Sequence, residues 1–255
     1  MAGAGEISAA GFATLPVADV VILGEVHDNA AHHANQALAV AVIAPKALVF
    51  EMLTPEQAAL MPADRSDAAK LEAALGWNAT GWPDFSMYFP IFAAAPMARI
   101  YGGDLPKGAT KSAVKLGAAA GFGEDAARYG LTQPLDPADQ SARQLEQAAA
   151  HCYQLPADVL PGMVQVQRLR DAALARAVVQ AMADTGGPVA VITGVGHART
   201  DTGLPIPLHL AAPDLRVLSI GQFEGAAGAD EPHDFWLISP PQPREDPCLA
   251  FSTAG

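Results

Sequence analysis

The sequence contains few cysteines, few basic residues and no long apolar segment. Its two cysteines, Cys152 and Cys248, stand far apart and form no C-x-x-C motif, so they indicate neither a metal site nor a redox centre. They are either buried thiols or, in an oxidising compartment, one disulfide. Only 15 Lys and Arg residues oppose 27 Asp and Glu residues, which gives a net charge of -12 at pH 7. Because this charge repels polyanions, nucleic-acid binding is not expected.

The absence of long apolar runs excludes a transmembrane segment, which needs about 18 or more consecutive apolar residues. Residues 1–12 contain neither a basic start nor a sustained apolar stretch, so no signal peptide is expected. The compartment stays open: the protein is either cytoplasmic or, if a leader has been removed, a protein of the periplasm or cell envelope. With 255 residues, 51% of them hydrophobic, the chain is long enough for a sizeable core. We expect a single α/β domain over residues 1–255.

Strand-like and helix-like segments alternate along the chain. Apolar runs predict buried strands at residues 20–24, 47–50, 98–103, 189–193, 216–220 and 234–238. Residues 30–43 and 66–75 predict helices, the first capped by Asp28 and Asn29 and the second capped by Ser66 and closed by Gly76. Residues 54–57 form a capping box for a further short helix. The pattern predicts an α/β fold with a mostly parallel central sheet flanked by helices. A helical insertion at about 110–184 separates the third and fourth main strands.

Two of the predicted strands end in the same G-x-x-H pattern. The first continues into Gly24, Glu25 and His27, and the later one into Gly194 and His197. We interpret Gly24 as the point where the backbone turns sharply. In parallel sheets the carboxyl ends of the strands meet at one edge, where ligands bind. The same edge should therefore gather the polar residues that follow the strands, namely Glu25, His27, Glu51, Asp104 and His197.

Two histidines and two carboxylates at one edge favour chemistry of two kinds. Neutral imidazole and ionised carboxylate suit Zn, Mn or Fe, so one candidate metal-ligand set comprises Glu25, His27, Glu51 and His197. Without a metal, the same residues are candidate catalytic groups, because a histidine beside a carboxylate is an acid/base pair near neutral pH. The alternative is that the histidines only form structural hydrogen bonds at strand ends.

Two predicted helices carry polar residues whose role depends on packing. In the helix at 30–43, Leu38 and Val42 can face the sheet, while His32 and His33 lie close together near its start. In the helix that begins near residue 163, three polar side chains share one face, and a solvated, charge-paired surface is the favoured interpretation. These three residues are Gln167, Arg170 and Asp171. Aromatic residues crowd at 76–92, which indicates either a plug over the core or a flat apolar ligand face.

Several of these segments together resemble the ChaN-like haem-binding uptake proteins of the Tiki, TraB and erythromycin-esterase superfamily. The similar segments are residues 24–33, 50–52, 167–175, 194–199 and 203–205, within a resemblance from about residue 18 to about residue 220. The resemblance implies an α/β fold and a site built from the two G-x-x-H segments with Glu25 and Glu51. It also implies haem binding linked to iron acquisition, with haem held by a tyrosine and packed cofacially in a homodimer.

The resemblance does not identify the haem-ligating tyrosine. Tyr88 is the preferred candidate among Tyr88, Tyr101, Tyr129 and Tyr153, because aromatic neighbours surround it and a phenolate oxygen suits ferric haem. The other candidate haem-binding residues are His32, His33, Asp104, Lys107, Arg170 and Arg199. Two of them depart from the family pattern, since Asp104 replaces an Asn and Lys107 an Arg.

Three hypotheses about function follow. The first is a haem-binding protein of uptake type that catalyses no reaction. The second is a metal-dependent or His/Glu hydrolase, similar to esterases or proteases, that uses the paired G-x-x-H site. The third is a scaffold whose polar cluster is structural. In each case the ligand, if any, is haem or another small molecule.

Overall fold

A computed structural model describes residues 5–106, 108–228, 230–246 and 248–249. Within these residues, seven strands form one sheet: β1 Gly5–Glu6, β2 Val20–Glu25, β3 Ala47–Phe50, β4 Arg99–Gly102, β5 Val189–Gly194, β6 Val217–Glu224 and β7 Phe235–Ser239. The α-helices are α1 Ala30–Ile43, α2 Pro55–Ala59, α3 Ala68–Leu75, α4 Phe85–Ala94, α5 Ala109–Leu116, α6 Ala118–Phe122, α7 Pro137–Ala150, α8 Leu160–Thr185, α9 Val195–Ala198 and α10 Pro205–Ala211. Short 3-10 helices lie at Ala9–Thr14, Trp77–Ala79 and Ala126–Tyr129.

The sheet is entirely parallel, which confirms the predicted fold class. Its strand order is β1-β7-β6-β2-β5-β3-β4, so β2 lies between β6 and β5, and β5 lies between β2 and β3. Glu25 pairs with Gly194 in the register of β2 and β5, and the Glu51 amide donates a hydrogen bond to the Ile192 carbonyl. The carboxyl ends of β2, β5 and β3 are therefore adjacent.

Side chains alternate between two apolar cores, one on each face of the sheet. Val21 and Leu23 of β2 pack into a core with α1 and α4, while Val20 and Ile22 pack into a core with α8. The same alternation holds in β3 and β5, as the two-residue period of a strand requires. Because both faces are covered, each of these strands is a continuous apolar run.

The helix signals are confirmed with two corrections. Asn29 caps α1 by accepting a hydrogen bond from the Ala31 amide, and Thr54 forms the predicted capping box of α2. Gly76 closes α3, but Asp67 rather than Ser66 caps that helix. The predicted buried face of α1 is wrong, because Leu38 and Val42 are 52% and 53% exposed. The helix buries its polar positions His32, His33 and Gln36 instead.

Gly24 does not mark the turn at the end of the first main strand. It lies inside β2, where an added Cβ would stand 2.9 Å from the Ala198 Cβ and 3.0 Å from the Val195 Cα. The glycine therefore permits close packing of α9 on the strand. Helices α5–α8 occupy the predicted helical insertion between β4 and β5. The single-domain organisation stays a prediction.

The two cysteines form a disulfide, with 5.5 Å between the Cα atoms of Cys152 and Cys248. This bond ties Cys248 to the α7–α8 connection. Nearby in sequence, the Arg244 guanidinium pairs with the carboxylates of Asp28 and Glu224. The C-terminal segment is thus fixed both to the β2–α1 loop and to the helical insertion. None of the described helices has the length and apolarity needed to cross a bilayer.

Candidate functional site

Glu25, the last residue of β2, organises the first of two polar clusters at the sheet edge. The carboxylate is 1% exposed, and its Oε1 accepts hydrogen bonds from the Tyr88 hydroxyl and from His27 Nδ1–H, each at 2.8 Å. Its Oε2 lies 3.3 Å from His33 Nδ1. Burial and the adjacent Glu25 carboxylate raise the pKa of the Tyr88 hydroxyl well above its ordinary range. Tyr88 is therefore a neutral hydrogen-bond donor in this arrangement.

Glu51, directly after β3, organises the second cluster. Its Oε2 accepts hydrogen bonds from Thr193 Oγ1 at 2.7 Å and from the Gly194 amide at 2.8 Å. Its Oε1 accepts one from Arg170 Nη2 at 3.0 Å and lies 3.3 Å from His197 Nε2. Burial opposes ionisation of Glu51, but these cationic neighbours hold the pKa of the carboxyl well below its ordinary value.

His197 lies in α9, the first turn after β5, between two carboxylates. Its Nδ1 is 2.6 Å from Asp171 Oδ1, and its Nε2 faces Glu51. Burial alone would lower the pKa of His197, but the carboxylates of Glu51 and Asp171 raise it to about 10. The ring is thus an imidazolium at neutral pH, donating from both nitrogens. A histidine that is charged at neutral pH is unsuited to act as a base there.

The two clusters meet at Gly194. An added Cβ at this glycine would stand 2.9 Å from His27 Nε2 and 3.6 Å from Glu51 Oε2. His27 is the accessible member, with 34% of its side chain exposed and its ring 4.9 Å from the Trp82 ring. Burial lowers the pKa of His27, but the hydrogen bond to Glu25 and the charge of Glu51 raise it above its ordinary value overall. The arrangement leaves His27 Nε2 directed into the junction of the clusters.

The structure thus brings together the four main predicted residues, with Glu25 and His27 in one cluster and Glu51 and His197 in the other. Arg170 joins the second cluster. His32 and His33 are buried and hold the β2–α1 loop: His32 Nδ1 accepts from the Val26 amide, and His33 Nε2–H donates to the His27 carbonyl. Both therefore position His27 through the backbone.

The remaining predicted residues lie elsewhere. Arg199 pairs with Asp201 and Glu146 and lines a 300 Å³ cavity beside α9 together with Arg143 and Gln167. Asp104 lines a separate groove along β4, and its Oδ1 accepts a hydrogen bond from the Leu105 amide. Lys107 lies outside the described residues.

Asp171 is the site residue that sequence analysis missed. The face it shares with Gln167 and Arg170 was interpreted as solvated, but Asp171 is 2% exposed and bonded to His197. Its Oδ2 is buried without a hydrogen-bond partner among the described residues. The spacing of the three residues shows only that they share one helix face, since i, i+3 and i+4 positions lie together whether that face contacts water or a buried site.

Within the described part of the chain, no group of three or more His, Cys, Asp and Glu side chains is arranged to hold a metal ion. The geometry explains this. Glu51 is engaged by four hydrogen-bonding or ionic partners, and His197 has a carboxylate at each nitrogen. The second cluster, around Glu51 and His197, is instead suited to holding protons and to orienting His27 at the junction of the two clusters.

Comparison with known proteins gives a family and a fold. A family model described as haem-binding uptake, Tiki superfamily, ChaN matches residues 12–208. The structure of Campylobacter jejuni ChaN, described as binding haem cofacially, is similar at a TM-score of 0.64 and 17% identity, over 85% of this chain and 86% of that one. The type III effector HopBA1 is similar at 0.48 and 15%, over 88% of each chain. An erythromycin esterase mutant, EreC, in its open conformation gives 0.41 and 14%, over 81% of this chain and 70% of that one. No curated protein sequence matches at a significant level.

Proposed function

Since this chain belongs to the haem-binding uptake family of the Tiki superfamily, the ChaN family, we propose that it binds haem for uptake or delivery. The observation that carries the proposal is the family match over residues 12–208. The C. jejuni structure adds that a protein of the same fold is described as binding haem cofacially. Cofacial binding leaves one haem face at the protein surface, so the iron ligand on the opposite face must be reachable from the surface.

The burial of the four tyrosines favours Tyr153 as the iron ligand. Tyr88 and Tyr129 are 0% and 4% exposed, whereas Tyr153 is 73% exposed. Tyr101 donates its hydroxyl hydrogen bond to Asp184 at the far edge of the sheet. A tyrosine oxygen is one of the axial ligands that haem proteins use. Tyr153 therefore replaces Tyr88, the preferred candidate from the sequence, in this proposal.

The surroundings of Tyr153 support the assignment. Its neighbour Cys152 is held by the disulfide, and its own amide donates to the Ala148 carbonyl at 2.7 Å. Ala150, at the end of α7, lines the cavity that also contains Arg143 and Arg199. Arg199 is already paired with Asp201 and Glu146, whereas Arg143 forms no ion pair among the described residues and has the charge and geometry to bind a haem propionate. Haem, when bound, would supply a ferric centre, and the chain would supply the ligand oxygen and this cation.

A haemin titration of the purified protein tests the proposal. We expect a saturable shift of the Soret band, and we expect Tyr153→Phe to weaken binding by about tenfold or more, as loss of an iron ligand should. Tyr101→Phe is the matched control and should bind as the unaltered protein does. A titration without a saturable shift refutes haem binding. Saturable binding that is equal in Tyr153→Phe refutes only the ligand assignment.

The His27 environment favours hydrolysis as a second candidate function. Glu25 fixes Nδ1 as a donor, so Nε2 is free to accept a proton. We propose that Nε2 takes a proton from a water molecule that attacks an ester carbonyl, and then returns that proton to the leaving alcohol. The Arg170 guanidinium and the imidazolium of His197 contribute positive charge near the junction. The other form of this hypothesis is a metal held by Glu25, His27, Glu51 and His197. It is less favoured, because these side chains already form hydrogen bonds and ion pairs.

Ester hydrolysis is tested with His27→Gln against His209→Gln. His209 is an exposed histidine of α10 and serves as the control. If the unaltered protein hydrolyses p-nitrophenyl acetate above the background rate, the His27 variant should hydrolyse it about a hundredfold more slowly. Equal rates in both variants, or no hydrolysis by the unaltered protein, would reject an esterase of this kind.

A further inference from the structure

A groove runs along β4, the strand at the edge of the sheet, away from the His27 and Tyr153 sites. Helix α2 forms one wall and helix α8 the other, and the groove has a volume of about 610 Å³. This volume is within the range of small-molecule sites. We call it the β4 groove and define it by Ala58, Met61, Arg65, Arg99, Tyr101 and Arg176.

The β4 groove concentrates positive charge in an acidic protein. Three arginines line it, although the chain has a net charge of -12. Asp104 also lines the groove, and Asp184 neutralises Arg99 at 3.1 Å. Arg65 and Arg176 form no ion pair with any carboxylate among the described residues. Arg176 donates a hydrogen bond to the Phe122 carbonyl and lies over the Phe122 ring, contacts that do not neutralise its charge. With Asp104 counted, the lining keeps an excess of positive charge.

Arg65 is the most unusual of these groups. Its Nη1 donates a hydrogen bond to the Ala95 carbonyl at 3.3 Å, but its Nε is buried and has no partner within the described ranges. Burial lowers the pKa of the Arg65 guanidinium, since no carboxylate offsets the lost hydration. A buried donor without an acceptor is destabilising, and a bound anion would offset this cost.

Apart from Tyr101, Asp104 and Gln180, the rest of the lining consists of apolar residues and Gly102. Pro55, Ala58 and Met61 come from the α2 side, and Ala173 and Ala177 from α8. Ile100 of β4 forms part of the floor and is 7% exposed. These apolar residues suit the carbon body of an organic molecule.

We propose that the β4 groove binds a small organic anion, with its carboxylate or phosphate group held by Arg65 and Arg176 and its apolar body against Met61 and Ile100. Guanidinium groups bind planar carboxylates and phosphates through paired hydrogen bonds, so both headgroups fit. The proposal does not depend on haem binding, because none of the groove residues contributes to the His27 or Tyr153 sites.

Isothermal titration calorimetry with aromatic probes tests the proposal on the full chain. The probes are 2-naphthoate, 2-naphthyl phosphate and neutral 2-naphthol, which share the same carbon body. We expect saturable binding of at least one anion. The anion that binds more tightly, 2-naphthoate or 2-naphthyl phosphate, identifies the preferred headgroup. No saturable binding of either anion, or equal binding of 2-naphthol, would overturn the proposal.

Arginine variants locate the binding. The double variant Arg65→Gln, Arg176→Gln should bind the anion about tenfold or more weakly, as expected when charge-assisted hydrogen bonds are lost. Arg128→Gln is the control, because that exposed arginine bonds to the Ala211 carbonyl outside the groove. If the double variant does not fold, Arg176→Glu alone, at an exposed position of α8, should still weaken binding. Unchanged affinity in the folded variant would refute the site. The haemin titration of the same variants should be unchanged, which keeps the two proposals separate.

Discussion

His197 illustrates how a single protonated residue contributes to this fold. Its imidazolium lies between the carboxylates of Glu51 and Asp171, and its pKa is raised from 6.5 to about 10. The stabilisation is therefore complete below about pH 6.5 and is lost as the pH rises through about 10. Between these values the free energy of unfolding should fall by up to about 1.4 kcal/mol per pH unit.

Denaturant unfolding across pH 6–10.5 measures this dependence. His197→Asn removes the titrating ring, so the variant should lose most of the slope between pH 7 and 10. It should also be less stable at pH 7 by about 3–5 kcal/mol, because two buried carboxylates lose their partner. A variant whose slope equals that of the unaltered protein would show that His197 does not titrate in this range.

Gly194 permits the two polar clusters to meet. A Cβ at this position would stand 2.9 Å from His27 Nε2, closer than non-bonded atoms approach. We expect Gly194→Ala to displace the His27 ring and to lower the free energy of unfolding by about 1–3 kcal/mol. Gly196→Ala is the control, since an added Cβ there meets nothing within 4 Å. NMR shifts of the His27 ring should move in the first variant only; an unmoved ring would contradict the close approach.

Single residues also set the limit of sequence-based prediction. Glu25, His27, Glu51 and His197 could be found because each follows an apolar strand-like run at the same edge of a parallel sheet. The burial of Asp171 could not be predicted from the sequence. A helix face with Gln, Arg and Asp has the same sequence pattern whether it contacts water or a buried histidine. Which of these it contacts depends on where α8 packs.

For helix α1, local sequence signals predict the helix but not which of its faces is buried. Its length and its Asn29 cap followed from local signals. Its buried face did not, because the helix turns His32, His33 and Gln36 inward and leaves Leu38 and Val42 half exposed. The buried polar groups find partners in segments distant in sequence, such as Ser239 Oγ at the end of β7 for His32. Hydrophobicity alone cannot reveal such partners.

Asn29 contributes more to its helix than an ordinary cap. Its Oδ1 accepts from the Ala31 amide, while its Nδ2 donates to Glu224 Oε1 at 2.6 Å. We expect Asn29→Ala to cost about 2–4 kcal/mol, because a helix cap and a hydrogen bond to a charged group are lost together. Asp67→Ala removes the cap of α3 and an exposed ion pair with Lys70, and it should cost about 1 kcal/mol. Equal losses in denaturant unfolding would contradict this.

For the whole molecule, cofacial haem binding would make assembly depend on the ligand. The proposed ligand Tyr153 is exposed, so a haem held there presents its second face to solvent. Burying that face against the haem of a second copy removes apolar surface from water. We expect haemin to shift the protein to a dimer in sedimentation velocity, with no shift in Tyr153→Phe. A haem complex that remains monomeric would contradict this mode of binding.

The position of β5 between β2 and β3 has a consequence for how the chain folds. β2 and β3 are close in sequence, but no hydrogen bonds join them, and each instead pairs with a strand that begins at Val189. Contacts this distant in sequence slow folding. During synthesis, Glu25 and Glu51 therefore remain unconnected until Val189–Gly194 has been made, and the site forms only when β5 enters the gap.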